Sequence, residues 1–375
     1  MKIAILGTRG IPNNHGGFEQ FAEYLSKYLI DQNHKVYVYN SSTHPYQQKT
    51  WNGVNIIHCK DFENRIGTAG QFIYDFNCIL DSRKRDFDII LQLGYTSSSI
   101  WGWLLPKETV VATNMDGLEW KRSKYSKPVR KFLKIAERLA IKYSDFLVAD
   151  SIGIQDYLKE EYKKESEYIA YGAEIFENPN LEVLGTYDVE PYDYDMLIAR
   201  LEPENNIEVI LDGVSNNNQR TFLVVGKHQT KFGEYLKTKY KDFNHIKFLG
   251  GIYNFNHLNN LRYFSNLYFH GHSVGGTNPS LLEAMASNCF IIANNNIFNK
   301  GVLEGNALYF DNSEDLDVLL EKRKEEYHYM VDENKKKIER ELNWSYINNK
   351  YEAYLIQCLT SYKIQRKKSI TYKSH

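Results

Sequence analysis

His270–Ala286 reads HGHSVGGTNPSLLEAMA, and the fold turns on how this stretch is read. It gives a short strand, a glycine-turned loop, then a helix opening at Asn278-Pro279-Ser280. Proline in the first helical turn loses nothing, because that N–H has no partner inside the helix. Asn278 or Ser280 can cap the helix. Its first N–H groups then face whatever lies in front of them, which makes a site for an anion. Glu283 lies about one turn further in, within reach of a hydroxyl beside a bound anion. Phosphate next to vicinal hydroxyls is what a nucleotide offers. An ordinary strand–loop–helix connection would carry similar letters, so the rest of the chain has to decide.

At 375 residues the chain is long enough for two domains. Its charged and apolar fractions are those of a globular protein with a sizeable core. The net charge of −1 argues against a nucleic-acid partner. The 29 tyrosines suit carbohydrate surfaces and cores alike. Cys59, Cys78, Cys289 and Cys358 are scattered without paired spacing. They fit reduced thiols in a cytoplasmic protein better than a disulfide frame or a zinc site. The apolar run before Gly7 is too short for a signal peptide, and no run reaches membrane-spanning length. Any membrane contact is therefore expected to be peripheral.

Lys2–Leu6 reads as a buried parallel strand. GTRGIPNNHGGFE, residues 7–19, follows as a glycine loop that lets the backbone approach a ligand. Phe18–Ile30 then has helical periodicity. The spacing is not GxGxxG and Val36–Tyr39 runs into Asn40 rather than an acid, which disfavours a dinucleotide site. Strands are expected at Val54–His58, Asp88–Leu93, Thr109–Thr113, Asp145–Ala149 and Glu167–Tyr171. Loops at the carboxyl ends of parallel strands line the ligand crevice of an open α/β sheet. Asp116 and Glu119 fall in such a loop and are candidates for proton transfer or hydroxyl binding. Turn chemistry at Asp116-Gly117 and a first-turn acid at Glu119 are the plainer alternatives. Residues 121–142 carry nine basic side chains against Glu137 alone, on a helix with an apolar stripe. That pattern suits an anionic membrane surface or a core-packed helix with a solvated face.

Residues 174–193 are irregular, and a second α/β series follows them. Strands are expected at Asp195–Ala199, Thr221–Gly226, His245–Leu249, Asn266–His270 and Phe290–Ala293. Arg200 and Lys227 directly follow two of these strands, where a diphosphate can bind. Arg can fork across phosphate oxygens, and Lys acts as a point charge. Residues 314–342 read as one long charged helical stretch, Trp344–Leu359 as another helix, and the basic residues after Ser361 as a tail without regular structure. The expected organisation is an N-terminal domain over 1–175, a C-terminal domain over 176–343, a helix over 344–360 and a basic tail over 361–375.

GTRGIP…GGFE, DGLEWKR, ARLEPENN and HGHSVGGTNPSLLEAM, in that order, resemble family 4 of the GT-B glycosyltransferases, and within it the bacterial polysaccharide rhamnosyltransferases. The likeness spans residue 2 to about residue 358. It implies an α/β fold of two Rossmann-like domains with parallel sheets facing across a cleft, acceptor bound on the first and nucleoside-diphosphate sugar on the second. It implies that Arg200 and Lys227 contact the diphosphate and that Glu283 contacts the ribose. Gly275, Gly276, Thr277, Asn278, Pro279 and Ser280, with His272, would surround the phosphates or sugar. Arg9, Gly16, Gly17, Glu19 and Glu119 would line the acceptor side or cleft, and Asp116 would orient the acceptor, or serve as the base if configuration is inverted. The helix from Trp344 would return to the first domain. Retention of anomeric configuration, dTDP-L-rhamnose as donor and a lipid-diphosphate-linked or glycan acceptor are also implied. No cofactor or metal is expected, since no Asp-x-Asp occurs among the strand-end loops. A cytoplasmic protein, at most touching the inner face of the plasma membrane, is the corresponding location.

Two departures stand out. The family pattern of two Glu residues separated by seven has Gly275 at the first position, so only Glu283 remains. The usual basic residue five positions after the strand-end Arg is Asn205. His270, His272 or the helix start would then have to supply the lost charge. A sugar-nucleotide 2-epimerase of the same architecture and a non-catalytic nucleotide-sugar-binding protein are the rival readings.

Overall fold

The computed structural model describes residues 1–14, 16–217 and 219–373. His15 of the glycine loop and the chain end, Ser374 and His375, lie outside the described residues. The chain divides into two compact units. The first takes Met1–Trp120, Lys127–Ala170 and the chain from Trp344 on; the second takes Lys121–Ser126 and Tyr171–Asn343.

The first unit holds an eight-stranded sheet. Its strands are β1 (Lys2–Leu6), β2 (Lys35–Ser41), β3 (Thr50–Trp51), β4 (Val54–Cys59), β5 (Ile89–Leu93), β6 (Val110–Asn114), β7 (Phe146–Ala149) and β8 (Glu167–Tyr168). Their order across the sheet is β3-β4-β2-β1-β5-β6-β7-β8, parallel except for the short antiparallel β3. Ile3, Ala4, Ile5, Ile89, Ile90 and Leu91 are wholly buried because helices cover both faces of the central strands. The order reverses between β1 and β5, so the loops at Gly7 and Gly94 leave the sheet in opposite directions and open a crevice at their carboxyl ends. Gly7 is required there: its φ is +88°, and a Cβ would stand 2.1 Å from the Leu93 carbonyl oxygen.

The helix Trp344–Lys373 packs on the helix Gly17–Asp31. Trp344 stacks on Tyr24 at 4.5 Å, Tyr351 meets Phe21 at 4.7 Å, and Glu352 pairs with His34 at 2.7 Å. These aromatic contacts continue the amphipathic pattern from both sequences. The helix also runs on through residues expected to form an irregular tail.

The second unit is a six-stranded parallel sheet of β9 (Tyr194–Ile198), β10 (Thr221–Val225), β11 (Ile246–Gly250), β12 (Tyr268–His270), β13 (Ile291–Asn294) and β14 (Leu308–Phe310). Its order is β11-β10-β9-β12-β13-β14, and it reverses between β9 and β12. Leu197, Phe222, Phe269, Phe290, Ile292 and Phe310 join one core beneath the covering helices. The two-residue β3 and three-residue β14 were not expected from sequence, being too short to show a period. The expected long helix over 314–342 is instead broken. Arg323 is extended, at φ −119° and ψ 134°, and Lys324 turns inward to donate to the Tyr263 carbonyl at 2.7 Å. Burial brings the Lys324 amine down to about 8. No helix among the described residues is long and apolar enough to cross a membrane.

The basic helix Lys127–Tyr143 is anchored by its one acid. Glu137 is 1 % exposed. It accepts from Tyr157 at 2.7 Å, Tyr162 at 2.5 Å, Lys134 at 3.0 Å and the Trp120 indole at 3.0 Å. The Lys134 ammonium lies 4.4 Å from the Trp120 ring centroid and 4.8 Å from that of Tyr157. Half-buried Lys134 thus packs against the aromatic cluster around Glu137. Glu137→Ala would leave several buried donors without an acceptor, and we expect it to cost about 3 kcal/mol or more. Chemical denaturation followed by tryptophan fluorescence measures this; a loss under 1 kcal/mol would contradict the anchoring role.

Candidate functional site

In the second unit the reversal between β9 and β12 gathers the predicted residues at one end of one sheet. Arg200, Lys227 and His272 each stand two positions past the ends of β9, β10 and β12. Arg200 and Lys227 are both exposed. Neither makes an ion pair or side-chain hydrogen bond among the described residues; Lys227 lies 5.6 Å from the Tyr253 ring centroid. Two uncompensated cations at a sheet's reversal point attract an anion.

Side chains bonded to backbone carbonyls hold the surrounding loops. Asn205 donates to the Arg200 carbonyl at 2.7 Å, and Asn206 to that of Gly271 at 2.9 Å. Ser273 donates to the Glu204 carbonyl, while Asn296 and Asn299 donate to the His272 carbonyl at 2.9 and 3.0 Å. Asn205 therefore serves loop geometry where a cation was the expected residue type. Arg122, in the segment Lys121–Ser126 of this unit, lies 3.7 Å from the buried Glu204 carboxylate.

His270 and His272 stack with centroids 4.4 Å apart. Burial drives the His270 imidazole far down, with His272 adding to the effect. Burial, then the positive Arg200 and Arg122, hold His272 at about 3. Both rings are neutral near pH 7, so neither replaces a missing cation. This corrects the expectation that they could.

The helix Pro279–Ala286 begins where the sequence places it. Asn278 is the cap: its Oδ1 accepts from the Ser280 N–H at 2.9 Å. Ser280 Oγ is instead shared with the Tyr268 hydroxyl at 3.0 Å. Thr277 is buried; Gly276 and Pro279 are half-buried. Glu283 is paired with Arg262 at 2.6 Å, a residue for which sequence gave no signal. Gly275 has φ +138° with open space where a Cβ would stand. The backbone there, not crowding at Cβ, disfavours a glutamate.

In the first unit, Glu19 lies in the first turn of the helix Gly17–Asp31 and turns its carboxylate back onto the glycine loop. It is 4 % exposed and accepts from the Arg9 N–H at 2.7 Å and the Thr8 hydroxyl at 3.3 Å. Arg9 forks onto Glu63 at 2.9 and 3.0 Å. Gly16 precedes the helix Gly17–Asp31 as its cap. Asp116 has φ +46°, and its N–H donates to Asn114 Oδ1 at 2.9 Å. The Asn114 amide donates in turn to the buried Tyr351 hydroxyl at 2.9 Å. Tyr351 thus fixes the Asp116 turn, which no local reading of TNMDG reveals. Glu119 opens a single 3-10 turn, and its neighbour Trp120 reaches Glu137.

Sequence reading also missed Asp75, on the helix Ala69–Ser82. It accepts from Ser97 at 2.6 Å. Burial raises its carboxyl to about 6 against the opposing Ser97 bond and Arg9 charge, with Asp61 raising it further.

Residues 1–174 match the family described as "Domain of unknown function (DUF1972)". No curated protein matches the chain. Among solved structures it is similar to sucrose-phosphate synthase of Thermosynechococcus elongatus, with TM-score 0.81 and 16 % identity over 96 % of this chain and 99 % of that one. HepE of Anabaena, solved with UDP and glucose, gives 0.74 and 14 % over 95 % and 100 %. The α,α-trehalose 6-phosphate synthase of Burkholderia multivorans gives 0.70 and 12 % over 97 % and 98 %. At these identities the likeness is one of fold: the chain has the α/β architecture of two parallel-sheet units shared by the GT-B proteins.

Two predictions follow from local geometry. Gly275→Ala and Gly275→Glu should lose similar stability, about 1–3 kcal/mol, since both meet the same φ and a Cβ there has open space; a wild-type melting temperature in either would show that the loop relaxes freely. For Asp75 the folded-state value of about 6 exceeds the ordinary 3.8, so the folded chain binds the proton more tightly. Stability should therefore fall as pH rises from about 4 to about 6 and level off above. Asp75→Asn should remove that slope; parallel melting curves for both proteins across this range would assign the slope to another group.

Proposed function

We propose that the protein is a glycosyltransferase that moves a sugar from a nucleoside-diphosphate donor to a hydroxyl acceptor. The observation that carries this is the pair Arg200 and Lys227, exposed and without carboxylate partners at the β9/β12 end of the second unit. An Asn278-capped helix start and Glu283 belong to the same unit. The likeness in fold to enzymes that synthesise sucrose phosphate and trehalose 6-phosphate supports the same reading. So does the likeness to HepE, which was solved with UDP-glucose.

In this reading the two cations stabilise the departing diphosphate, and the first-turn N–H groups of the helix assist. Glu283 accepts from the ribose. Gly275, Gly276, Thr277 and Ser280 surround the donor, and His272 acts there as a neutral ring. Asp116 orients the acceptor hydroxyl, with Arg9, Gly16, Gly17, Glu19 and Glu119 shaping the acceptor side. Configuration is retained and the leaving phosphate takes the acceptor's proton, with fixed cations in place of a metal. On the resemblance of the four sequence blocks, dTDP-L-rhamnose is the proposed donor. A lipid-diphosphate-linked or glycan acceptor in cell-surface polysaccharide synthesis is the proposed acceptor. Exposed Lys127, Lys131, Arg138 and Lys142, beside exposed Val129 and Ile135, support peripheral contact with an anionic membrane from the cytoplasmic side.

The test is a panel of nucleotide sugars with and without a lipid-diphosphate acceptor, read by nucleotide release and product mass. Acceptor-dependent release is expected. Epimerised donor without acceptor, or no donor consumed, would defeat the proposal. Arg200→Ala or Lys227→Ala should lower turnover by about 10²–10³. Asp116→Asn should lower transfer while leaving donor binding intact.

A further inference from the structure

A guanidinium with almost no water around it holds the carboxylate proposed to read the ribose. Arg262 closes the helix Phe255–Tyr263 and is 1 % exposed. Its Nη2 donates to Glu283 Oε2 at 2.6 Å and to Ser280 Oγ at 3.2 Å. Its Nη1 donates to Asn259 Oδ1 at 3.0 Å, while Nε has no partner. Burial works against the Arg262 charge. The Glu283 carboxylate, then Tyr268 and Cys289, overcome it and hold the group above its ordinary value. The cation therefore depends chiefly on Glu283 for compensation.

Only one Glu283 oxygen is engaged. Oε1 has no protein partner among the described residues, and the side chain keeps 18 % of its surface. A glutamate at an exposed helix position can turn through many rotamers, and fixing one has an entropic cost. Here the bond to a buried, immobile guanidinium has already met that cost, as preorganised sites require. Arg262 also grips Ser280 in the first turn of the same helix, so carboxylate and helix start are set as one body.

We infer that Arg262 is a positioning residue. It clamps Glu283 Oε2 so that Oε1 is presented to a hydroxyl of the nucleoside diphosphate. The inference rests on the nucleotide reading above and adds to it a residue that touches no substrate.

Calorimetric titration of the intact protein with UDP and with 2′,3′-dideoxy-UDP tests this. Wild type should prefer UDP by about tenfold, the value of one charge-assisted hydrogen bond. Arg262→Met should reduce UDP affinity toward that of the dideoxy compound while leaving the latter within about twofold. Glu283→Ala should do the same, and the double variant should be no worse than either single one. Arg262→Lys, which keeps the buried cation but not the two-armed grip, should fall between and serves if Arg262→Met does not fold. A purely structural role for Arg262 would weaken both ligands equally. Equal weakening, or full preference for UDP in the variants, overturns the inference while nucleotide binding stands. No preference in wild type overturns it too. The same titrations with dTDP and 2′,3′-dideoxy-dTDP apply where UDP does not bind, and wild type binding none of the four nucleotides overturns both this inference and the donor reading.

Discussion

Arg262 cannot be buried as a cation without Glu283, and this constraint organises the second unit's site. The two residues are 21 positions apart and lie on adjacent helices. Their bond fixes one helix against the other more specifically than apolar contact does, because a carboxylate displaced by an ångström leaves a desolvated charge. Leu281, Leu282 and Met285 bury the apolar side of the helix Pro279–Ala286. Packing and ion pair together determine where its first N–H groups stand. Everything proposed for the donor depends on that position.

The two units carry polar residues of different kinds at their carboxyl strand ends. In the second unit, exposed Arg200 and Lys227 have no acid to neutralise them. In the first, Arg9 is already forked onto Glu63, and Asp61 and Asp75 raise the local density of acid. An anion finds field in the second unit that the first has largely cancelled internally. This division follows from ion pairing within each unit and needs no assumption about how they meet.

Parallel strands were legible because fully buried strands need continuous apolar runs, as in Lys2–Leu6 and Val110–Asn114. The glycine and proline at the strand ends were legible because sterics leave few alternatives there, as at Gly7 and Pro279. What sequence could not give was partners distant along the chain. Nothing near Glu283 names Arg262, nothing near Asp116 names Tyr351, and Glu137 looked like an isolated acid in a basic helix. Each depends on packing between elements, which periodicity does not encode. The short β14 and the break at Lys324 were missed for the same reason: a three-residue strand is held by its neighbour β13, and a lysine turns inward only because a distant carbonyl receives it.

The two departures from the family pattern acquire a common physical sense. Asn205 bonds the Arg200 carbonyl, and the neighbouring Asn206 reaches Gly271, so amides tie the β9 and β12 loops together. A lysine at 205 would add charge in place of the short amide that donates to the Arg200 carbonyl. At 275 a glutamate would face a φ of +138°, so the absence of a carboxylate comes with a different loop path. The histidines, kept neutral by burial, do not restore either charge. One expected cation and one expected anion are thus lost together. The net charge of the proposed donor side is thereby unchanged, and under that proposal the loss of both side chains leaves more of the donor's recognition to the loop's backbone.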